Sequence, residues 1–534
     1  MTTYKQISYD SQKITNGVNA IVDVVAATLG PNGKNVGIIS GSKVLNTKDG
    51  VTVAKKCLPF KDQVENYAAQ IVKRAADQAV EKAGDGTTTT CVLTQAIYLA
   101  AKQLLQSKNL PTATFCRELS LAAQKVLTLM PKYLVNVNDK EFENVISIST
   151  NGDSELTSII VEAFKRVGKD GIISIEPAQG KETTLEKVDG LCFDTGFISP
   201  YFITNPDKMN VVYEGTADGQ NLPYVLLYEG TLSSADTIIH ILDGVVQAKR
   251  PLLIIAEDVT GECLSTLIVN RMRVGVPFVA VKTPGYGDAK KNWLHDIAAV
   301  TGAKVIDPKL DDIKECGLNI LGTAKKIVVD NKETTIVGSQ SESETVKSYI
   351  ANLEQYLSTE TEDFYKEKAQ ERIARLKQGV TVIKLAAFND VESQEKSDRI
   401  DDAIKAGRAA LKEGLVSGCG TALYKQIPAL DTNSPAEEVL AEALSAPVKK
   451  ILLNAGYSET AIRKLLDSIN YGSDQAISIV NGEATVIDNY IHSGIVDPYL
   501  VVSTALEEAV AAASLLVNTA ATIVDEDAKC ECNH

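Results

Sequence analysis

At 534 residues, 44% hydrophobic and 23% charged with few aromatics, the chain reads as a soluble globular protein too long for a single core. Its net charge of −15 excludes binding to nucleic acid or to an anionic membrane by general attraction, because both need a surplus of Lys and Arg. Nine cysteines without regular spacing cannot all pair within one chain, which fits a reducing compartment. The segment Met1–Asp10 lacks the order of a secretory signal, and no run of about 18 apolar residues is seen, so a cytoplasmic protein with no membrane and no nucleic-acid partner is expected.

In chain order, Ile14, Val18, Ile21, Val22, Val25 and Leu29 predict a helix over 10–29, ended by Gly30-Pro31. Val36–Ile39 and Val44–Leu45 predict a hairpin feeding a second turn at Thr47-Lys48-Asp49-Gly50, and helices are expected over 62–82 and 87–106. The middle changes character: short apolar runs at Leu252–Ala256, Pro277–Val281 and Ala303–Ile306 alternate with helical stretches, the pattern of an α/β domain with a partly parallel sheet. The charged segment 341–378 reads as two solvated amphipathic helices. Helices return over 434–454, 459–469 and 499–518, so a middle domain inserted into a mainly helical one is the economical reading.

Two glycine turns carry the chemistry. Gly84-Asp85-Gly86 followed by Thr87, Thr88, Thr89 and Thr90 puts an acid, two permissive glycines and four hydroxyls at a helix start. There backbone N–H groups face an anion and a carboxylate can hold Mg2+. Taken alone the run serves equally as an N-cap, and Thr47–Gly50 alone is a plain turn. No Walker P-loop is present.

Together Leu29–Val36, Thr47–Ala54 and Gly84–Thr90 resemble the group I chaperonins, the GroEL-type ring ATPases. The resemblance continues through Phe193–Phe202, Pro251–Val259, Pro284–Asp288 and Gly494–Pro498. It implies a multidomain α+β and α/β fold: a mainly helical equatorial ATPase domain (1–131 and 413–534), a small intermediate domain (132–188 and 381–412) and an α/β apical domain (189–380). It also implies an ATP-dependent chaperone that encloses non-native polypeptide clients in a homo-oligomeric ring of seven subunits, with a lid co-chaperonin as a candidate partner. ATP and Mg2+ are the implied cofactors, with K+ a candidate second ion.

By the same resemblance Thr28, Leu29, Gly30, Pro31, Lys48, Asp85, Gly86, Thr87, Thr88 and Thr89 surround the phosphates, and Asp85 holds Mg2+. Asp49 stands near the γ-phosphate and Asp402 positions the attacking water. Asp497 matches a ribose contact, and Gly418 and Cys419 a glycine turn in which Cys419 is a departure. Asp474 and Ala476 align loosely with the loop under the adenine. On the apical side, Phe197, Tyr201, Phe202, Ile239, Leu242, Leu264, Ile268 and Val269 match apolar positions that face the ring opening and bind clients. From the residues alone those helices read rather as buried on two sides, and it is the resemblance that reverses this.

Further departures bear on mechanism. Gly190 and Gly379 match hinge glycines, and Asp153 and Arg399 an internal ion pair. Thr195 replaces an arginine that crosses to a neighbour's acid at the place of Asp390, which implies weaker coupling around the ring. Gln103, Lys449 and Ser458 replace ring-to-ring charges, which implies a weak double ring or a single one. The four histidines do not cluster, and Cys530, Cys532 and His534 read as a frayed tail. The rival readings are an ATP-independent holdase or scaffold and a metabolic phosphotransferase.

Overall fold

A computed structural model describes residues 5–525 apart from 9, 41–42, 136, 151, 169–170, 179–181, 189, 207, 217–220, 275–276, 312, 339–342, 361, 379, 388–389 and 481. Contacts divide the chain into two compact units, residues 1–161 with 388–534, and residues 162–387. In the first unit, β1 (Lys5–Ser8) precedes α1 (Ser11–Ala26), which Asp10 opens by accepting from the Gln12 and Lys13 amides. Ile14, Val18, Ile21, Val22 and Val25 form its buried stripe, and Gly30, at φ 84°, turns the chain away. The hairpin β2 (Val36–Ser40) and β3 (Lys43–Thr47) leads to the short α2 (Gly50–Lys56). Helix α3 (Gln63–Ala83) ends at Gly84 (φ 82°), and α4 (Thr87–Lys108) starts after Gly86 (φ 100°). Then come α5 (Thr112–Leu129) and α6 (Asp139–Ser149), the latter opened by a reciprocal Asn138–Glu141 cap. Within α7 (Ser154–Val167) the chain passes into the second unit.

The second unit begins with β4 (Ile172–Pro177), β5 (Thr184–Val188), β6 (Gly190–Phe193), β7 (Val211–Glu214) and β8 (Tyr224–Leu232). It continues through α8 (Ile239–Ala248), β9 (Leu252–Val259), α9 (Gly261–Val274), β10 (Phe278–Lys282) and α10 (Asp288–Thr301). After β11 (Val305–Ile306), β12 (Gly322–Thr323), β13 (Lys326–Val329) and β14 (Thr334–Val337) come α11 (Ser343–Thr359), α12 (Asp363–Gln378) and β15 (Val380–Leu385). The central sheet runs β10-β9-β8-β11, all parallel, with β12 antiparallel on β8. Leu252–Ala256 and Phe278–Val281 are buried at every position, as expected of parallel strands covered on both faces. Antiparallel β6-β14-β13-β7 and mixed β4-β15-β5 complete the unit.

The pair α11 and α12 is less solvated than its charge suggests. Val346, Leu353, Ile373 and Leu376 join the unit's core. Arg372 grips the buried Asp296 of α10 through Nε (3.1 and 3.2 Å) and Nη2 (2.8 Å), while Tyr349 donates to the same carboxylate at 3.0 Å. Arg375 lies 3.7 Å from Asp296 and stacks over Trp293.

Returning to the first unit, α13 (Asp390–Glu413) docks through Ile400, Ala403, Ile404, Ala406 and Ala410. Gly407 lets it approach α6, since a Cβ there would meet Ile146 at 2.9 Å. Next come β16 (Leu415–Ser417), α14 (Thr421–Tyr424), α15 (Pro435–Ala443), α16 (Ala446–Asn454) and α17 (Glu459–Asp467). The single helix expected over 434–454 is therefore broken: Pro447, in the first turn of α16, lacks the N–H that continuation needs. A hairpin of β17 (Ala476–Val480) and β18 (Glu483–Ile487), then β19 (Val496–Pro498), α18 (Tyr499–Val517) and β20 (Thr522–Asp525), finish the chain. Contrary to the sequence expectation, α18 is long and apolar enough to cross a membrane. It is instead a core helix, 67% of its apolar window being buried, and it packs on α3, α4 and α5 while its Glu508 pairs with Lys82 at 2.5 Å. Strand β20 pairs antiparallel with β1.

Candidate functional site

The start of α4 is the centre of a cluster of polar groups in the first unit. Gly86 offers no side chain to cap the helix, and among the four threonines Thr90 spends its hydroxyl on Gly86 O (2.9 Å). Thr87 does not: its Oγ1 is buried and has no hydrogen-bond partner. An orphaned buried hydroxyl beside an uncapped helix start is costly without a ligand and favourable with an anion. The start of α2 lies against it, since a Cβ on Gly50 would fall 2.2 Å from Thr88 Oγ1. Asp49 caps α2, accepting from Val51 N (3.0 Å) and Thr52 N (2.9 Å).

The turn after α1 forms a second wall. Thr28 donates to Val25 O (2.8 Å), and Asn454 of α16 donates to both Ala26 O and Leu29 O at 2.9 Å. Gly30 sits against Ile451, where a Cβ would come within 2.9 Å, and Lys48 donates to Pro31 O at 3.1 Å. Burial pushes the Lys48 ammonium down, with Arg399 adding repulsion. Asn454 is a residue the sequence reading missed; it lies some 425 residues from the turn it holds, so no local pattern marks it.

Carboxylates converge here. Burial drives Asp402, on α13, well above the usual carboxylate range, and the charges of Asp85 and Asp49 push it further. Burial raises Asp85 too, against the Gly86 N–H and Lys405. Asp497, on β19, is pushed up to about 7 by burial and then by Asp85, although the Gly420 N–H donates to it. Carboxylates that resist ionising one another are relieved by a cation. Among the described residues no three His, Cys, Asp or Glu side chains are grouped to hold a metal by themselves. That fits Mg2+, which takes one or two carboxylates and fills its shell with phosphate and water.

The third wall is the turn between β16 and α14. Gly418 packs against Val496, and Gly420, at φ 70°, has its Cα over Val448. Cys419 adopts φ 57°, a left-handed conformation a glycine takes more cheaply. Its side chain packs with the cluster of Tyr424, Val448 and Leu452, and burial raises its thiol to about 12, so the departure leaves an unreactive group. Asp474 lies in the loop before β17, and Ala476 is buried at the first position of that strand.

The sequence model of the TCP-1/cpn60 chaperonin family matches residues 21–527. The chain is a member of this chaperonin family. The chaperonin also shares its fold with solved structures of the chaperonin gp146 from bacteriophage EL 2 (Pseudomonas aeruginosa), crystallised in the presence of ATP-BeFx. Crystal form II matches at 20% identity with a TM-score of 0.67, covering 98% of this chain and 100% of that one. Crystal form I matches at 21% identity with a TM-score of 0.61, covering 98% and 99%.

In the second unit of this chaperonin the eight expected apolar positions divide. Tyr201, Ile239 and Val269 are 66%, 46% and 43% exposed, and Phe197, Leu264 and Ile268 are half-buried against the core. Phe202 and Leu242 are corrections: at 0% and 3% exposure they lie inside that core. Leu242 belongs to the stripe Ile238, Ile241, Leu242 and Val245, and the short turn Pro200–Phe202 directs Tyr201 outward and Phe202 inward. Met272, 73% exposed and one turn beyond Val269, extends the face and was missed.

Of the remaining positions, Asp153 and Arg399 lie 3.8 Å apart in the first unit. Gly190 is fixed in β6, where a Cβ would meet Val380 at 2.5 Å, and Gly379 lies outside the described residues, as do Cys530, Cys532 and His534. Thr195 donates to Lys282 O (2.8 Å) in its own chain.

Proposed function

We propose that this chaperonin is an ATP-driven folding machine: a ring-forming ATPase that binds non-native polypeptides on its exposed apolar face and encloses them. The five-segment division into equatorial, intermediate and apical domains, cytoplasmic location and a ring of seven belong to this proposal, as does a candidate lid partner. The observation that carries the nucleotide reading is the partnerless Thr87 hydroxyl at the uncapped start of α4, beside carboxylates whose proton affinity burial raises. The phage chaperonin crystallised with ATP-BeFx supports the same reading.

Bound Mg2+–ATP supplies a phosphoanhydride whose charge the metal offsets. On the protein's side, Thr87, Thr88, Thr89 and the first amides of α4 donate to phosphate oxygens, with Thr28 to Pro31 and Lys48 opposite. Asp85 holds Mg2+, with K+ a candidate second ion. Asp402 orients a water and takes its proton at a carboxylate oxygen, a task for which a raised proton affinity suits it. Asp49 faces the same place from the start of α2, and Asp497 accepts from the ribose. Gly418, Cys419, Asp474 and Ala476 border the base.

Tyr201, Ile239, Val269 and Met272 offer clients a non-directional apolar surface. With Thr195 engaged inside its own chain and with Gln103, Lys449 and Ser458 between rings, weak ring cooperativity and a weak double ring or single ring are expected. Refolding of an aggregation-prone client with and without Mg2+–ATP, together with negative-stain images, tests the function. Rings whose refolding yield depends on ATP support it. Equal protection without nucleotide indicates a holdase, and ATP consumption that requires a small acceptor indicates a phosphotransferase.

A further inference from the structure

One buried cation in the first unit is not used by the site described above. Lys425, just past α14, is only 6% exposed. Its Nζ donates to Ser473 O at 2.7 Å and lies 5.5 Å from the ring centre of Tyr490. Ser473 precedes Asp474, whose carbonyl accepts from Tyr490 N at 3.0 Å. From there the chain of hydrogen bonds runs through Ile495 N to Tyr490 O (2.9 Å) and Gly418 N to Ile495 O (2.9 Å), reaching the glycine turn of the site. The same turn is tied from the other side, since Ile477 N donates to Thr421 Oγ1 at 3.2 Å. Tyr471, at the loop's other end, stacks on Tyr424 with ring centres 5.4 Å apart and donates to its hydroxyl at 3.0 Å. Loop 470–475 is thus pinned at both ends by two consecutive residues, Tyr424 and Lys425, and the lysine is the charged pin.

We propose that Lys425 is a positioning residue for the base side of the nucleotide site: its ammonium fixes loop 470–475, and ATP affinity follows its charge. The inference rests on the nucleotide reading given above. A buried ammonium held by one carbonyl, one ring face and a nearby carboxylate is incompletely compensated. Burial accordingly pushes Lys425 down to about 8, against the attraction of Asp474. Of the groups that face it, burial raises the phenols of Tyr424 and Tyr490, so both stay protonated while Lys425 titrates, and among the described residues Asp474 supplies the one facing charge. On the side of Met130, Val416, Ser417, Ala422 and Gln426 its surroundings carry no titratable group. Loss of the proton removes the charge attraction to Asp474 and to the Tyr490 ring together, so the loop loses its charged pin while the tyrosine pin and the backbone bond from Tyr490 N to Asp474 O remain.

The test is calorimetric binding of Mg2+–ATP, and separately of Mg2+–tripolyphosphate as a ligand without a base, from pH 7 to 9.5. Wild type, Lys425→Met and Lys425→Arg are compared in the full-length assembled protein. Expected for wild type is an ATP affinity that falls about tenfold over this range, as for a competent loop populated one time in ten. Lys425→Met should be weak at every pH, Lys425→Arg tight at every pH, and tripolyphosphate binding alike in all three. A wild-type pH slope retained in Lys425→Arg overturns the inference, as does a parallel loss of tripolyphosphate affinity in Lys425→Met. Should the Met variant fail to fold, the comparison of wild type with Lys425→Arg still decides. Absence of any ATP binding by wild type at pH 7 overturns the nucleotide reading itself, and this inference with it.

Discussion

Each unit holds a cluster around buried carboxylates, and the two clusters are answered in opposite ways. In the second, Asp296 is met by Arg372, Arg375 and Tyr349, so its charge is answered from within the chain. In the first, Asp85 repels both Asp402 and Asp497, Lys405 eases Asp402 and Asp85, and a buried threonine hydroxyl, that of Thr87, has no partner. A satisfied network holds elements together, whereas an unsatisfied one is a site whose remaining partners come from solution. Substitutions should therefore cost stability in one unit and ligand handling in the other.

The largest expected effect is at Asp402. Asp402→Ala should lower ATP turnover at least about a hundredfold, the usual scale for a lost general base, with ATP still bound. Nucleotide-free stability should hold or rise, and a stability loss in chemical denaturation would break the contrast. Arg372→Met should do the reverse, leaving Asp296 poorly paired and destabilising the second unit by about 3–5 kcal/mol, with nucleotide affinity unchanged. Thr87→Val comes next: about tenfold weaker ATP binding by calorimetry, the scale of a lost hydrogen bond to a charged group, at no cost to the free protein.

Asp497 gives the contrast a pH signature. Its folded-state value near 7 lies above the ordinary 3.8, so its contribution to stability is complete below about pH 4 and is lost as pH rises through 7. Asp497→Asn, always neutral, should match wild type near pH 4 and melt several degrees higher at pH 8 without nucleotide. The smallest effect is Cys419→Gly, which relieves a left-handed backbone at φ 57° and should stabilise by about 0.5–1 kcal/mol in thermal unfolding.

Much of this was legible in the sequence where the determining contacts are local. The periodicity of α1, α3 and α4 and the glycines that separate them are short-range signals, and the structure places those helices within a few residues of expectation. Asp402 and Asp497 are legible only through family resemblance, because nothing around either marks it as part of a cluster assembled from distant segments. Phe202 and Leu242 were misplaced for a physical reason: a helix or turn apolar on more than one side does not reveal which side meets the sheet. Asp296 and Arg372 stand 76 residues apart, and α12 reads as solvated until its partner is known.

The connectivity of the first unit also sets an order of events during synthesis. Its core joins Ile14 and Val18 near the start to Ala509 and Val510 near the end, so it cannot close until almost the whole chain has left the ribosome. The second unit, 162–387, is one continuous stretch and is available for folding first. At about 5–20 residues per second the emerging helices α1, α3 and α4 then wait roughly 20–100 seconds for α18, their apolar stripes uncovered. On the proposed function, the chain thus passes through a stage in which it presents the kind of surface that its own mature form would shelter.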